Sequence, residues 1–314
     1  MKKVIIGASA ILALACCGAF YLPGGSVEQM AVMGLHPQTG APQRLVVLAP
    51  SLVETLFVIG AGSQIRGVSS LCHYPDAAKK LPAVGGFYDP NYEAILSLHP
   101  DLVLLLPEVP DQRAQLQKLG IPSLTLEQHS LAGLVSSFLI LGNLCHREAQ
   151  GVFWAAQYRD WLALIRQRTR VLPKVKTLLV LGRDYSRNPV SSVYAVGRGE
   201  IYDELLIVAG GRNAVTAPDP KYPQLGVEGM LALDPDVIIE LVPESDGPAK
   251  PPAELLKAWA PLTGLRAVRT HRVMVLTGDY LTIPGPRLIN TLQALGKALH
   301  PEMDWNLPGV PDAR

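Results

Sequence analysis

A fourteen-residue stretch that occurs twice constrains the fold of this chain more than anything else in it. Residues 91–104 read NYEAILSLHPDLVL and residues 226–239 read GVEGMLALDPDVII. Glu93, Leu96, Leu98, Pro100 and Asp101 therefore coincide with Glu228, Leu231, Leu233, Pro235 and Asp236. Each copy predicts a short helix opened near a Glu and ended at a Pro-Asp, since proline cannot continue a helix, followed by a buried strand. A second pair stands in the same order: ETLFVIG at 54–60 against ELLIVAG at 204–210. Two matches in one order predict two similar α/β lobes, each with its own sheet. At 314 residues the chain is long enough for both.

The pattern between these landmarks agrees. RLVVL at 44–48 reads as a short apolar strand, and Ala49-Pro50-Ser51 turns the chain. Ser51 is expected as N-cap, with Glu54 completing a capping box and Gly60-Ala61-Gly62 stopping the helix. Strand, turn and helix then alternate with short loops, which predicts largely parallel central sheets. Residues 147–171 contain no proline and place Phe153, Ala156, Trp161, Leu164 and Ile165 at helical spacing. Arg159, Asp160, Arg166, Arg168 and Arg170 would face outward. At about 1.5 Å per residue this makes one rigid helix roughly 37 Å long. The expected organisation is an N-terminal lobe at 44–146, the interlobe helix at 147–171, a C-terminal lobe at 172–302 and a tail at 303–314. Two lobes joined by one stiff helix leave a cleft, and α/β folds bind ligands at the carboxyl ends of their parallel strands.

The N-terminal end has another character. Met1-Lys2-Lys3 is followed by a charge-free apolar run to Leu22, the pattern of an export signal. The run is also long enough to cross a hydrocarbon core of about 30 Å. Ala13-Leu14-Ala15 offers a small-residue cleavage site, and Leu14-Ala15-Cys16-Cys17 loosely resembles a lipoprotein box. Residues 1–25 are thus read as an export signal or a membrane or lipid anchor, and 26–43 as a linker. The body is expected in the periplasm or otherwise outside the cytoplasm, tethered to the membrane through its N-terminal segment. There Cys72 and Cys145 either form a disulfide or are two buried thiols. The 28 Lys and Arg nearly balance the 27 Asp and Glu, which argues against a nucleic-acid partner, since phosphate binding needs a basic face.

Catalytic signatures are missing from the sequence. Gly60-Ala61-Gly62-Ser63 lacks the third glycine of a dinucleotide fingerprint, and there is no phosphate loop, nucleophile elbow, Cys-x-x-Cys or His-Glu-x-x-His. The seven histidines are scattered without metal-ligand spacing, so no metal site is expected; His99 is read as a helix-end or solvent-facing residue. Glu93 and Glu228 sit at equivalent points of different lobes, which does not suit one shared catalytic centre. It suits docking onto a partner with twofold symmetry, or simply the favourable placement of an acid at a helix start.

Taken in order, several short motifs carry a resemblance. They are residues 45–54, Gly67-Val68-Ser69-Ser70, Tyr74-Pro75, Val84-Gly85-Gly86-Phe87, Asn91-Tyr92-Glu93 and Leu98-His99-Pro100-Asp101. Further on come Ala209-Gly210-Gly211-Arg212-Asn213, Val227-Glu228, Asp234-Pro235-Asp236, Pro284-Gly285-Pro286-Arg287 and Leu299-His300-Pro301-Glu302. From 44 to about 302 the chain resembles the extracytoplasmic substrate-binding proteins of ABC importers for vitamin B12, ferric siderophores and haem. The resemblance implies the class III periplasmic-binding-protein fold, with little closure on ligand. It implies that Glu93 and Glu228 meet arginines on a permease dimer that works with its ATPase. It implies no enzyme activity and no intrinsic cofactor, the ligand itself carrying iron or cobalt.

For the ligand, Phe87 and Tyr88 suit stacking on a flat or bulky molecule. Ser51 and His73 lie in loops after predicted strands, as do Arg183, Tyr185 and Tyr280, while Arg198 lies just before the helix containing Glu204; His73 is either a ligand contact or an ordinary exposed histidine. Arg183 and Arg198 either meet ligand carboxylates or are solvated loop charges. Tyr280 either ligates a haem iron or packs, and Arg287, opening the last helix, is expected to brace the lobe. The resulting expectation is an importer subunit that captures cobalamin, a ferric siderophore or haem between its lobes. An exported two-lobed enzyme or sensor that keeps the fold without transport is the alternative.

Overall fold

The computed structural model describes residues 40–243 and 251–310. The expected export segment, most of the linker and the last tail residues lie outside the described residues. Among the described residues no helix is long and apolar enough to cross a membrane.

The first lobe runs β1 (Leu45–Val47), α1 (Pro50–Val58), β2 (Ile65–Val68), α2 (Tyr92–Ser97), β3 (Leu102–Leu105), α3 (Pro110–Lys118), β4 (Ser123–Thr125) and α4 (Leu131–Leu144). Its sheet has the order β2-β1-β3-β4, and every pairing is parallel. β1 and β3 are apolar at every position because helices or loops cover both sheet faces, leaving Leu45, Val46, Val103 and Leu104 fully buried. The start of α1 departs from expectation. Pro50, whose fixed φ suits the first helical position, begins the helix one residue early, so Ala49 is the N-cap and has no capping side chain. Ser51, already inside the first turn, donates instead to Gln128 Oε1 at 2.6 Å.

α5 (Glu148–Thr169) stands between the two sheets. Its buried stripe is Gly151, Ala155, Tyr158, Trp161, Leu162, Ile165 and Thr169. The expected stripe was partly misphased: Phe153 is 57% exposed and Ala156 is exposed too. Small residues, not large ones, make the tightest contact. A Cβ added to Gly142 of α4 would lie 2.9 Å from Gly151 Cα, so two glycines let α4 and α5 approach closely. The helix is fastened to both sides. Trp154 Nε1 donates to Val58 O of α1 at 2.9 Å. Tyr158 donates to Pro286 O at 2.8 Å and accepts from Ile289 N at 3.0 Å, while Thr169 donates to Val208 O.

The second lobe runs β5 (Val175–Arg183), β6 (Ser192–Ala195), α6 (Ile201–Val208), β7 (Gly211–Asn213), β8 (Gln224–Gly226), α7 (Val227–Leu233), β9 (Val237–Val242), α8 (Pro252–Lys257), α9 (Arg266–Arg269), β10 (Val273–Thr277) and α10 (Leu288–Leu299). Strands β10, β9, β5 and β7 pair in parallel, but β6 and β8 are antiparallel, so this sheet is mixed. β5, at nine residues, is long enough to take β7 along its first three residues and β6 along its last.

The sequence repeat is visible as one device used twice. α2 and α7 are each followed by a residue in the left-handed region, His99 (φ 46°) and Asp234 (φ 37°). The Pro-Asp comes next, and its carboxylate holds the start of the neighbouring central strand. Asp101 accepts from Gln43 N at 2.8 Å and Arg44 N at 3.0 Å, and Asp236 accepts from Lys176 N at 3.4 Å.

Candidate functional site

A cavity of about 790 Å³ opens between the lobes. Its walls come from the carboxyl ends of parallel strands on both sides. Pro50 and Ser51 follow β1, Ser70 and Leu71 follow β2, Leu106 and Glu108 follow β3, and Gln128 and His129 follow β4. Across the gap stand Leu181 of β5, Pro243 after β9 and Asp279 after β10, with Ile201 and Tyr202 at the head of α6. Strand ends form the wall because the parallel strands of each sheet point the same way and their return loops gather at one rim.

Four of the residues expected at the ligand line this cavity: Ser51, His73, Phe87 and Tyr88. Phe87 and Tyr88 meet edge to face with ring centroids 4.8 Å apart, and Tyr88 is 77% exposed. The other four do not line it. Arg183 is turned into its own lobe, where Nε donates to Glu240 Oε1 at 2.8 Å and a second nitrogen to Leu255 O at 3.3 Å. The register of β5 slips between Val180 and Gly182, which breaks the alternation that would keep Arg183 on the face of Leu181. The guanidinium lies 4.8 Å from the centre of the Tyr185 ring, and burial pushes that phenol up to about 12. Arg198 is exposed on the turn before α6, outside the cavity lining. Tyr280 packs back on the core, its ring 2.7 Å from where Gly278 would carry a Cβ.

Besides Leu131 N, which donates to Glu204 Oε2 at 2.9 Å, two polar clusters join the lobes. Arg287, 1% exposed, lies between Glu54 of the first lobe and Asp279 of the second. Its guanidinium stacks 3.8 Å over the ring of Tyr74. Burial raises Glu54 against the lowering pull of Arg287. The expected bracing role of Arg287 thus extends across both lobes. The second contact centres on Glu200, 2% exposed, which holds Lys221 Nζ at 2.9 Å and the Tyr222 hydroxyl at 3.1 Å. His129 of the first lobe reaches Glu108 at 3.4 Å and Glu200 at 3.8 Å. None of Glu108, Gln128, His129, Glu200, Tyr202, Lys221 or Tyr222 was singled out from sequence. Gln128 and His129 follow a strand and could have been; Lys221 and Tyr222 lie in a loop without periodic signal.

Glu93 and Glu228 are both exposed and occupy the second position of α2 and α7. Cys72 and Cys145 are free and buried, and burial raises their thiols to about 11 and about 12. No group of three or more His, Cys, Asp or Glu placed to hold a metal ion occurs among the described residues.

The sequence model of the family described as "Periplasmic binding protein" matches residues 45–280. The chain belongs to this family. Family membership accords with the two-lobed α/β architecture and with a place outside the cytoplasm. An uncharacterized ABC transporter substrate-binding lipoprotein of Bacillus subtilis (strain 168) is 27% identical over 266 residues, 83% of this chain and 81% of that protein. A vitamin B12-binding protein of Vibrio campbellii is 25% identical over 259 residues, 81% of this chain and 88% of that protein. Among solved structures, a periplasmic heme binding protein from Pseudomonas aeruginosa superposes with a TM-score of 0.69 at 28% identity, over 84% of this chain and 94% of that one.

Proposed function

We propose that this chain is the substrate-binding component of an ABC importer. With 44–146 and 172–302 as its lobes, it captures an iron chelate or corrinoid in the interlobe cleft and delivers it to a permease dimer served by its ATPase. The observation that carries this reading is the cavity itself. Its volume of about 790 Å³ is that of a site for a bulky small molecule, and Phe87, Tyr88, Tyr202 and Tyr222 supply aromatic surface for stacking. The names of the vitamin B12-binding and heme binding relatives point to the same ligand classes. α5, the Arg287 pair and the Glu200 cluster hold the lobes at a set distance, so binding proceeds with little closure. Glu93 and Glu228, alike in placement, dock the two lobes on the permease. The protein carries no cofactor of its own in this reading, any iron or cobalt arriving with the ligand. The segment 1–25 exports the chain and tethers it to the membrane.

Thermal denaturation of the purified chain with cobalamin, haemin and a set of ferric siderophores tests the reading. At least one is expected to raise Tm, because a ligand that binds only the folded state stabilises it by mass action. A flat response to all of them would sink it.

A further inference from the structure

We infer that the cleft selects a metal chelate of zero or positive net charge and rejects chelates bearing free carboxylates. The inference rests on the binding-protein reading above and concerns which ligand that site accepts. Among the described residues no arginine lines the cavity. The two guanidinium groups read from sequence as either ligand-anion contacts or solvated loop charges are elsewhere: Arg183 is bound to Glu240 inside its lobe, and Arg198 is exposed outside the lining. Lys221 supplies the lining's ammonium, and it is already held by Glu200 at 2.9 Å.

The acidic side of the ledger is larger. Arg287 faces two carboxylates, Glu54 and Asp279. Glu200 balances Lys221. Glu108 remains, with the imidazole of His129 as its ion-pair contact among the described residues and Lys221, already held by Glu200, near enough to feel its charge. Among the described residues the carboxylates of the lining and of the groups directly behind it, Glu54, Asp279, Glu200 and Glu108, thus outnumber the two cations, Arg287 and Lys221. A carboxylate moved from water into such a cavity loses hydration and gains no unspent cation. Amides, hydroxamates and a cationic metal centre carry no such penalty.

An uncharged aromatic side chain adds to the wall. Tyr202 is 4% exposed, lines the cavity, and its hydroxyl has no hydrogen-bond partner among the described residues. Burial keeps the phenol protonated, raising it well above its ordinary value. It adds no charge to the wall.

Matched pairs separate charge from shape. The full-length chain is titrated with cobinamide against cobyric acid, ferrioxamine B against its N-succinyl derivative, and haemin dimethyl ester against haemin. In every scaffold that binds, the member without the free carboxylate is expected to bind about ten-fold tighter, and raising salt from about 0.05 to 0.5 M should shrink that ratio by screening. Glu108→Lys, at a partly exposed position, should collapse it. Equal or tighter binding of the carboxylate member, or a ratio untouched by Glu108→Lys, overturns the inference and leaves the importer reading standing. If no member of any pair binds, the importer reading falls and the charge inference falls with it.

Discussion

Arg287 holds Glu54 from 233 positions away, through hydrogen bonds of 2.7 and 3.2 Å between side chains each 1% exposed. One residue belongs to each lobe, and Asp279 and Tyr74 complete the enclosure. This is a fastening in the floor of the cleft. Removing one member strands a buried charge, whereas replacing both with apolar groups does not.

Arg287→Met is therefore expected to destabilise the fold by about 3–5 kcal/mol. The double variant Glu54→Met/Arg287→Met should recover a substantial part of that loss. Urea unfolding monitored by tryptophan fluorescence measures both. A double variant no better than the single one would mean that Asp279, not Glu54, is the partner that matters.

The tip carboxylates predict a separation of two readouts. Glu93→Lys combined with Glu228→Lys should leave chelate affinity within about two-fold and stability within about 0.5 kcal/mol, as for other exposed surface changes. Uptake by cells carrying the permease should be abolished. Loss of affinity in the purified protein would place these residues at the ligand instead.

Helix contact supplies a third expectation. A Cβ on Gly151 would sit 2.6 Å from Phe138 O, so Gly151→Ala should cost about 1–3 kcal/mol through overpacking. Gly226 has nothing within 4 Å and an ordinary extended backbone, φ −77° and ψ 177°. Gly226→Ala is the uncrowded comparison and should cost less than Gly151→Ala, losing only the preference for glycine over alanine at a helix N-cap, about 1 kcal/mol or less.

The thiols give a pH signature. Burial raises Cys72 to about 11 and Cys145 to about 12, and only the thiolate is nucleophilic. Iodoacetamide labelling of the native chain at pH 8, read by peptide mass spectrometry, should be slow at both and fast once the chain is unfolded. The native rate at Cys72 should keep rising with pH toward 11 for as long as the fold survives. Fast native labelling at pH 8 would show that Cys72 is not buried as described.

Much of the architecture was legible because it is written in local patterns. β1 and β3 are unbroken apolar runs, and β9 is one but for Glu240, since both faces of their sheets are covered. The Pro-Asp repeat reports its own geometry, a left-handed residue and a strand-pinning carboxylate in each lobe. Local reading failed where a neighbouring residue changed the frame. Pro50 moved the start of α1 and with it the role of Ser51. Gly142 and Gly151 set the phase of α5, which large apolar residues had suggested differently. The candidate site was half legible for a related reason: loops after strands locate the rim, but not which side chains turn inward.

From the sequence alone came two related lobes, a stiff helix between them and a cleft at the ends of their strands. Each of these follows from periodicity, repetition and chain length, which are properties of neighbours along the chain. The charge of the cleft was decided only by the tertiary structure. Arg183 meets Glu240, Arg287 meets Glu54 and Asp279, and Lys221 meets Glu200. A buried charge takes whichever opposite charge the packing brings within about 3 Å, because leaving it unpaired in low dielectric is too costly. Arg183 finds Glu240 57 residues away and Arg287 finds Glu54 233 residues away, where no spacing rule reaches.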